Sequence, residues 1–191
     1  MLTMAPPPAA SMAGICACRA YCTPLRLIAM TASQRSTVDL SIRPERVDVA
    51  GLVRASVELQ TPRAVERGIT FDVSGLEPAV AWADPARIRQ VLDNLLSNAI
   101  KYNVDDGTIE VGTTTDAGHA WIVVRDSGIG ISEAELPQLF DRFFRADAVR
   151  KTSTHGSGLG LAISREIARS HGGEITVQSQ PDRGSTFTVE L

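Results

Sequence analysis

The sequence has no surplus of either charge: 19 Lys and Arg stand against 22 Asp and Glu, a formal net charge of -3. Without a basic field nothing draws the chain toward nucleic acid or an anionic membrane, so any phosphate binding must be local. Cysteine is confined to Cys16, Cys18 and Cys22, and no later Cys or His cluster at ligand spacing completes a zinc site. These thiols read as reduced bystanders in a cytosolic protein. No stretch approaches the roughly 20 apolar residues that span a bilayer. Residues 1–18 lack the basic start and long apolar centre of an export signal, and Pro6, Pro7 and Pro8 break any helix there. The expected location is the cytoplasm, with no membrane segment and no nucleic-acid partner.

What the chain does have is enough apolar content for one core: 191 residues, 43% hydrophobic and 21% charged. Residues 1–46 read as an irregular tail and linker, with Leu25 to Ser33 as a possible helical remnant; the folded domain is expected over residues 47–191. Leu52, Val53, Val57, Leu59 and Val65 suit an amphipathic helix from Val49, ended by Gly68 before a strand over 69–73. Val80 to Trp82 offers a second strand. Asp84 followed by Pro85 starts a helix that continues to Lys101 or Tyr102, the carboxylate capping free amides and the proline filling the first turn. Residues 109–115 and 119–125 alternate apolar and polar side chains about Asp116-Ala117-Gly118, as a hairpin does. Ser132 and Glu135 have capping-box spacing, predicting a short helix over Glu133 to Phe140. A polar loop to Gly156, a helix from about Leu159 to Ser170, and strands at 174–180 and 185–190 complete the pattern. Strands and helices mix without regular alternation, so the expected class is α+β: a two-layer sandwich with a mixed, mainly antiparallel sheet covered on one face by helices.

Three segments carry polar groups in suggestive places. Asn94 and Asn98 share one face of the helix over 85–101, with Lys101 and Tyr102 three and four residues further on. Two amides beside Leu95 and Leu96 need partners, either a structural network or a magnesium ion that leans on phosphate oxygens. Asp126-Ser127-Gly128-Ile129-Gly130-Ile131 follows a strand, where a carboxylate can accept from an exocyclic amine and two bare glycines admit a flat ligand. Gly156-Ser157-Gly158-Leu159-Gly160-Leu161 opens a helix whose free amides suit phosphate. It is no dinucleotide fingerprint, since a polar loop rather than a first strand precedes it. Between the last two lies Phe140-Asp141-Arg142-Phe143-Phe144-Arg145, aromatics expected to pack a core edge beside an arginine able to grip a terminal phosphate. For Arg150 and Lys151 a solvated surface position is the better reading.

The order of these segments, closed by Gly184-Ser185-Thr186, resembles the catalytic domain of sensor histidine kinases, with the N, G1, F, G2 and G3 boxes of the ATP-binding (GHKL, Bergerat) fold shared with gyrase, Hsp90 and MutL. The resemblance covers residues 47–191. It implies ATP as substrate and Mg2+ held by Asn98, with Lys101 and Tyr102 at phosphate or ribose. It implies Asp126 on the adenine amine in a pocket shaped by Gly128, Gly130 and Ile131. Gly156, Ser157, Gly158, Leu159, Gly160 and Leu161 would border the triphosphate, Arg145 would meet the γ-phosphate, and Thr186 would lie near the adenine. Phe144 stands where many members have Tyr. Asn94 occupies the place where hydrolytic relatives put a glutamate, and an amide cannot take water's proton, which favours a kinase over an ATPase.

The resemblance also sets out what is missing. Such kinases carry a phosphoacceptor His followed by an acidic residue before this domain; His119, His155 and His171 are the only histidines, and none has that setting. His171, at a helix end, reads as a positive charge suited to the dipole. The implied partners are therefore a histidine-bearing dimerisation domain, in trans or from a missing part of the kinase, and a response regulator downstream. A split kinase and a fragment or misassigned reading frame both fit. The rival functions are a GHKL-type ATPase, a non-catalytic nucleotide-binding regulator, and an anti-sigma serine kinase, which the Phe-rich segment with Arg145 fits less well.

Overall fold

The computed structural model describes residues 42–146 and 157–191, which belong to the unit Asp39–Leu191. The three cysteines, Arg150, Lys151, His155 and Gly156 lie outside the described residues. Strand β1 (Glu45–Asp48) leads directly into helix α1 (Val49–Val65), where the Asp48 side chain accepts from Gly51 N at 3.1 Å. β1 pairs antiparallel with β3 (Val80–Ala83) as a separate two-stranded ribbon, Arg46 opposite Trp82. Residue 47, the expected boundary, lies inside this strand, whose partner among the described residues is more than thirty residues away and leaves no local period.

On α1 the buried side runs through Val49, Leu52, Val53, Ser56, Val57 and Ala64. Leu59 and Val65, expected on that side, are 63% and 66% exposed, because a face set by Val53 and Val57 passes next through positions 60–61 and 64. After β2 (Thr70–Leu76) and β3, helix α2 (Pro85–Lys101) begins as expected. One Asp84 carboxylate oxygen accepts from Ala86 N at 3.0 Å and Arg87 N at 3.2 Å, and the other accepts from Arg43 N at 2.9 Å. The Arg43 amide is the main cause holding this carboxyl below its ordinary value of 3.8. A depressed carboxylate stabilises the fold above its ordinary value, and that contribution disappears as pH falls through the folded value. Asp84→Ala is therefore expected to cost about 1–2 kcal/mol at neutral pH, a deficit that shrinks in acid; urea unfolding at both pH values checks it.

The main sheet has the order β2-β4-β5-β7-β6, with β4 (Thr108–Asp116), β5 (His119–Asp126), β6 (Ile175–Ser179) and β7 (Ser185–Glu190). Only β2 and β4 run parallel, joined across α2. Two hairpins supply the rest, the first turning through Ala117 and Gly118 with positive φ. The helices α1, α2 and α3 (Gly160–Ser170) form the second layer: Ile88, Leu92, Leu95 and Leu96 of α2 pack with Ile109, Val111, Ile122 and Val124 of the sheet in one buried cluster. This is the expected α+β sandwich.

The helix predicted over Glu133 to Phe140 is a single 3₁₀ turn, Leu136–Gln138. Pro137 has no N–H to continue an α-helical ladder. Half of the capping box nevertheless forms, with Glu135 accepting from Ser132 N at 3.3 Å and from Ser132 Oγ at 2.5 Å.

Candidate functional site

Along one side of α2 opens a cavity of about 390 Å³. Its wall takes Asn94, Ser97, Asn98 and Lys101 from α2, Tyr102 from its C-cap, Asp126 from the end of β5, and Phe144 and Arg145 from the Phe-rich segment. Ile131, Leu139, Leu161 and Phe187 give it apolar surface, and Asp126 lies among them.

Asp126 is buried, at 7% exposure. Its Oδ1 accepts from Gly128 N at 2.9 Å and Ser185 N at 3.2 Å. Burial pushes its carboxyl above the ordinary range, and those two amides oppose the push. With Oδ1 pinned, and no hydrogen bond to Oδ2 among the described residues, the second oxygen is an acceptor of fixed direction.

The glycines here serve the protein's own backbone. A Cβ on Gly128 would meet the Tyr102 carbonyl oxygen at 2.2 Å, tying the loop after β5 to the end of α2. Gly130 has φ +66, and its Cβ would come within 1.9 Å of the Gln180 carbonyl oxygen. Gly130 lines the cavity, whereas Gly128 does not, and chain-to-chain closeness demands glycine at each.

At the other end α3 comes up against α2. A Cβ on Gly160 would press on the Asn94 amide and displace it, and Asn94 Nδ2 donates to Ser164 Oγ at 3.0 Å. Asn94 Nδ2 thus has its partner on α3. Leu159 gives α3 no side-chain cap, leaving first-turn N–H groups at Gly160 and Leu161, both in the cavity wall.

Of the residues singled out from sequence, Asn94, Asn98, Lys101, Tyr102, Asp126, Gly130, Ile131, Arg145, Ser157, Gly158, Gly160 and Leu161 line this one cavity. Leu159 and Thr186 do not, and Gly156 lies outside the described residues. On β7 the residues Ser185, Phe187 and Val189 are buried, so Thr186 points to the opposite face, and Ser185 lines the cavity. The apolar alternation at 187 and 189 was the available signal. Arg63, Ser97, Glu135 and Phe187 also line the wall and were not foreseen. Among the aromatics, Phe140 and Phe144 pack on the core, while Phe143 is 71% exposed at φ +64.

Residues 83–191 match the family of histidine kinase-, DNA gyrase B- and HSP90-like ATPases. The chain belongs to this family. Sensor histidine kinase YkoH of Bacillus subtilis is 39% identical over 163 residues, 85% of this chain but 35% of YkoH, so the chain spans about a third of that relative's length. Sensor histidine kinase WalK of B. subtilis is 41% identical over 110 residues, 56% of this chain and 18% of WalK. Among solved structures, the mycobacterial sensor histidine kinase MprB superposes with TM-score 0.67 at 32% identity, covering 77% of this chain and 97% of that one. Full-length ShkA in complex with AMPPNP gives TM-score 0.66 at 32% identity, over 81% of this chain and 31% of that one. ThkA in complex with the response regulator TrrA gives 0.64 at 26% identity, over 78% and 42%. The chain carries the ATP-binding catalytic domain of sensor histidine kinases.

Within this ATPase domain the described histidines are engaged. His171 Nε2 accepts from Asp84 N at 3.0 Å while Nδ1 lies 2.8 Å from the Ile167 carbonyl oxygen. Those two contacts tie the ring, at the C-terminal end of α3, to the start of α2. His119 Nδ1 lies 3.3 Å from Glu190 on the sheet. Among the described residues no helix is long and apolar enough to cross a membrane.

Proposed function

We propose that residues 47–191 act as the catalytic domain of a two-component sensor histidine kinase, passing the γ-phosphoryl group of ATP to a histidine on a dimerisation domain, with residues 1–46 a tail and linker toward it. The observation that carries the reading is one cavity holding a pinned carboxylate acceptor at one end and Asn98, Lys101, Arg145 and uncapped α3 amides at the other. In this reading the adenine amine donates to Asp126 Oδ2, Phe187 and Ile131 lie against the ring, and Lys101 and Tyr102 meet ribose or phosphate. The α3 amides at Gly160 and Leu161, beside Ser157 and Gly158, receive phosphate oxygens.

The donors present fit magnesium. Asn98 offers a hard carboxamide oxygen, and among the described residues its side chain makes no hydrogen bond; nor do they contain a cluster of three His, Cys, Asp or Glu groups that could hold a metal. A cation there would depend on phosphate oxygens for most of its ligands and supply charge neutralisation. Asn98 is the residue that would hold it.

In transfer, an imidazole nitrogen of the acceptor attacks the γ-phosphorus, the bond to the β,γ-bridging oxygen breaks, and ADP departs with that electron pair. Arg145 draws charge from the equatorial oxygens. Asn94, committed to Ser164, has no basic atom to activate water. The cytoplasm is the compartment this scheme requires, and a response regulator takes the phosphoryl group onward, as the ThkA–TrrA complex illustrates for a relative.

Incubated with labelled ATP and Mg2+, the full chain should acquire no phosphohistidine, yet label a separately supplied dimerisation domain bearing an acceptor His. Transfer should be slow and dependent on concentration, since tethering that provides roughly millimolar local acceptor is absent. Brisk phosphate release without acceptor, or label on the chain itself, would overturn the reading.

A further inference from the structure

Arg67, just beyond α1, clamps the end of α2. Its Nη1 donates to the Ile100 and Lys101 carbonyl oxygens at 2.6 and 3.3 Å, Nη2 to the Asn103 carbonyl at 2.9 Å and to Asp105 at 2.7 Å. These bonds fix how the last turn of α1 lies beside Lys101 and Tyr102. Arg63 lies on the last turn of α1, four residues before Arg67. There it joins the cavity wall with Ser97, Asn98 and Lys101. Its side chain is exposed and, among the described residues, is held by a 3.4 Å bond to Gln60, so it can turn toward a ligand at little cost.

The wall already has its two ends. Asp126 and the apolar side chains take the base, and Asn98, Lys101 and the α3 amides take the anionic tail. We infer that Arg63 is a further phosphate-binding residue, a cation from α1 that closes the outer side of the polyphosphate seat and makes the site prefer nucleotides by their phosphate charge. The inference rests on the nucleotide reading above. A guanidinium suits the task because its fork can contact two phosphate oxygens at once.

The test compares adenosine, ADP and ATP binding to the full chain and its Arg63→Ala and Arg63→Lys variants by calorimetry with Mg2+. Arg63→Ala should lose about tenfold in ATP affinity, the effect of one partly exposed charge-assisted hydrogen bond. Adenosine affinity and melting temperature should stay unchanged, the salt dependence of ATP binding should weaken, and Arg63→Lys should restore part of the loss. ATP affinity equal to that of the unaltered chain, or equal losses for adenosine and ATP, would sink the inference alone. Failure of the unaltered chain to bind ATP would sink the nucleotide reading and this inference with it.

Discussion

Asp126→Asn is expected to weaken ATP binding by about 100-fold while leaving the protein at least as stable as before. The argument begins with the hydrogen bonds that Oδ1 accepts from Gly128 and Ser185, which an asparagine oxygen can keep. That orientation turns the amide nitrogen to where Oδ2 stood, so a donor faces the adenine amine, itself a donor. Stability moves the other way. A carboxyl whose folded value is raised contributes most below its ordinary value of 3.8, and that contribution is lost as pH rises through the folded value. At neutral pH the ionised group is thus a cost that the amide removes. Thermal melts from pH 4 to 8 should show a flatter profile for the variant. Calorimetry should show its preference shifting from ATP toward the 6-oxo analogue ITP, whose oxygen can accept. Unchanged ATP affinity would remove the adenine assignment.

The second large effect is expected at Arg145. If its guanidinium meets charge that develops on the γ-phosphoryl oxygens, Arg145→Ala should slow transfer to a supplied acceptor by about a thousandfold. ATP affinity should fall no more than about tenfold, since the ground state keeps its base and other phosphate contacts. Arg145→Lys should recover little, because a point charge cannot reproduce the planar two-oxygen grip. Single-turnover transfer rates beside equilibrium binding separate the two quantities. A variant that loses binding and rate equally would make Arg145 a ground-state ligand only.

Much of this site was legible because the relevant signals are local. Asn94, Asn98 and Lys101 fall on one side of α2 by helical period alone, and Asp84-Pro85 announces where that helix starts. Asp126 was visible as a carboxylate ending an alternating strand before Gly128 and Gly130. The errors arose where local period met a competing feature. Pro137 cut the expected helix to a 3₁₀ turn, and one residue of strand alternation put Ser185 rather than Thr186 in the cavity wall.

What the sequence determined by itself was the set of elements and the order of the polar segments, because helix caps, strand alternation and glycine turns act over a few residues. Only the tertiary structure decided what each glycine must approach, since those contacts join Gly130 to the Gln180 backbone and Gly160 to the Asn94 side chain across long separations. The same holds for His171, whose ring accepts from an amide 87 residues away. It holds too for Arg63, which enters the cavity wall because Arg67 locks α1 against the end of α2, and no period in α1 can state where its neighbour lies.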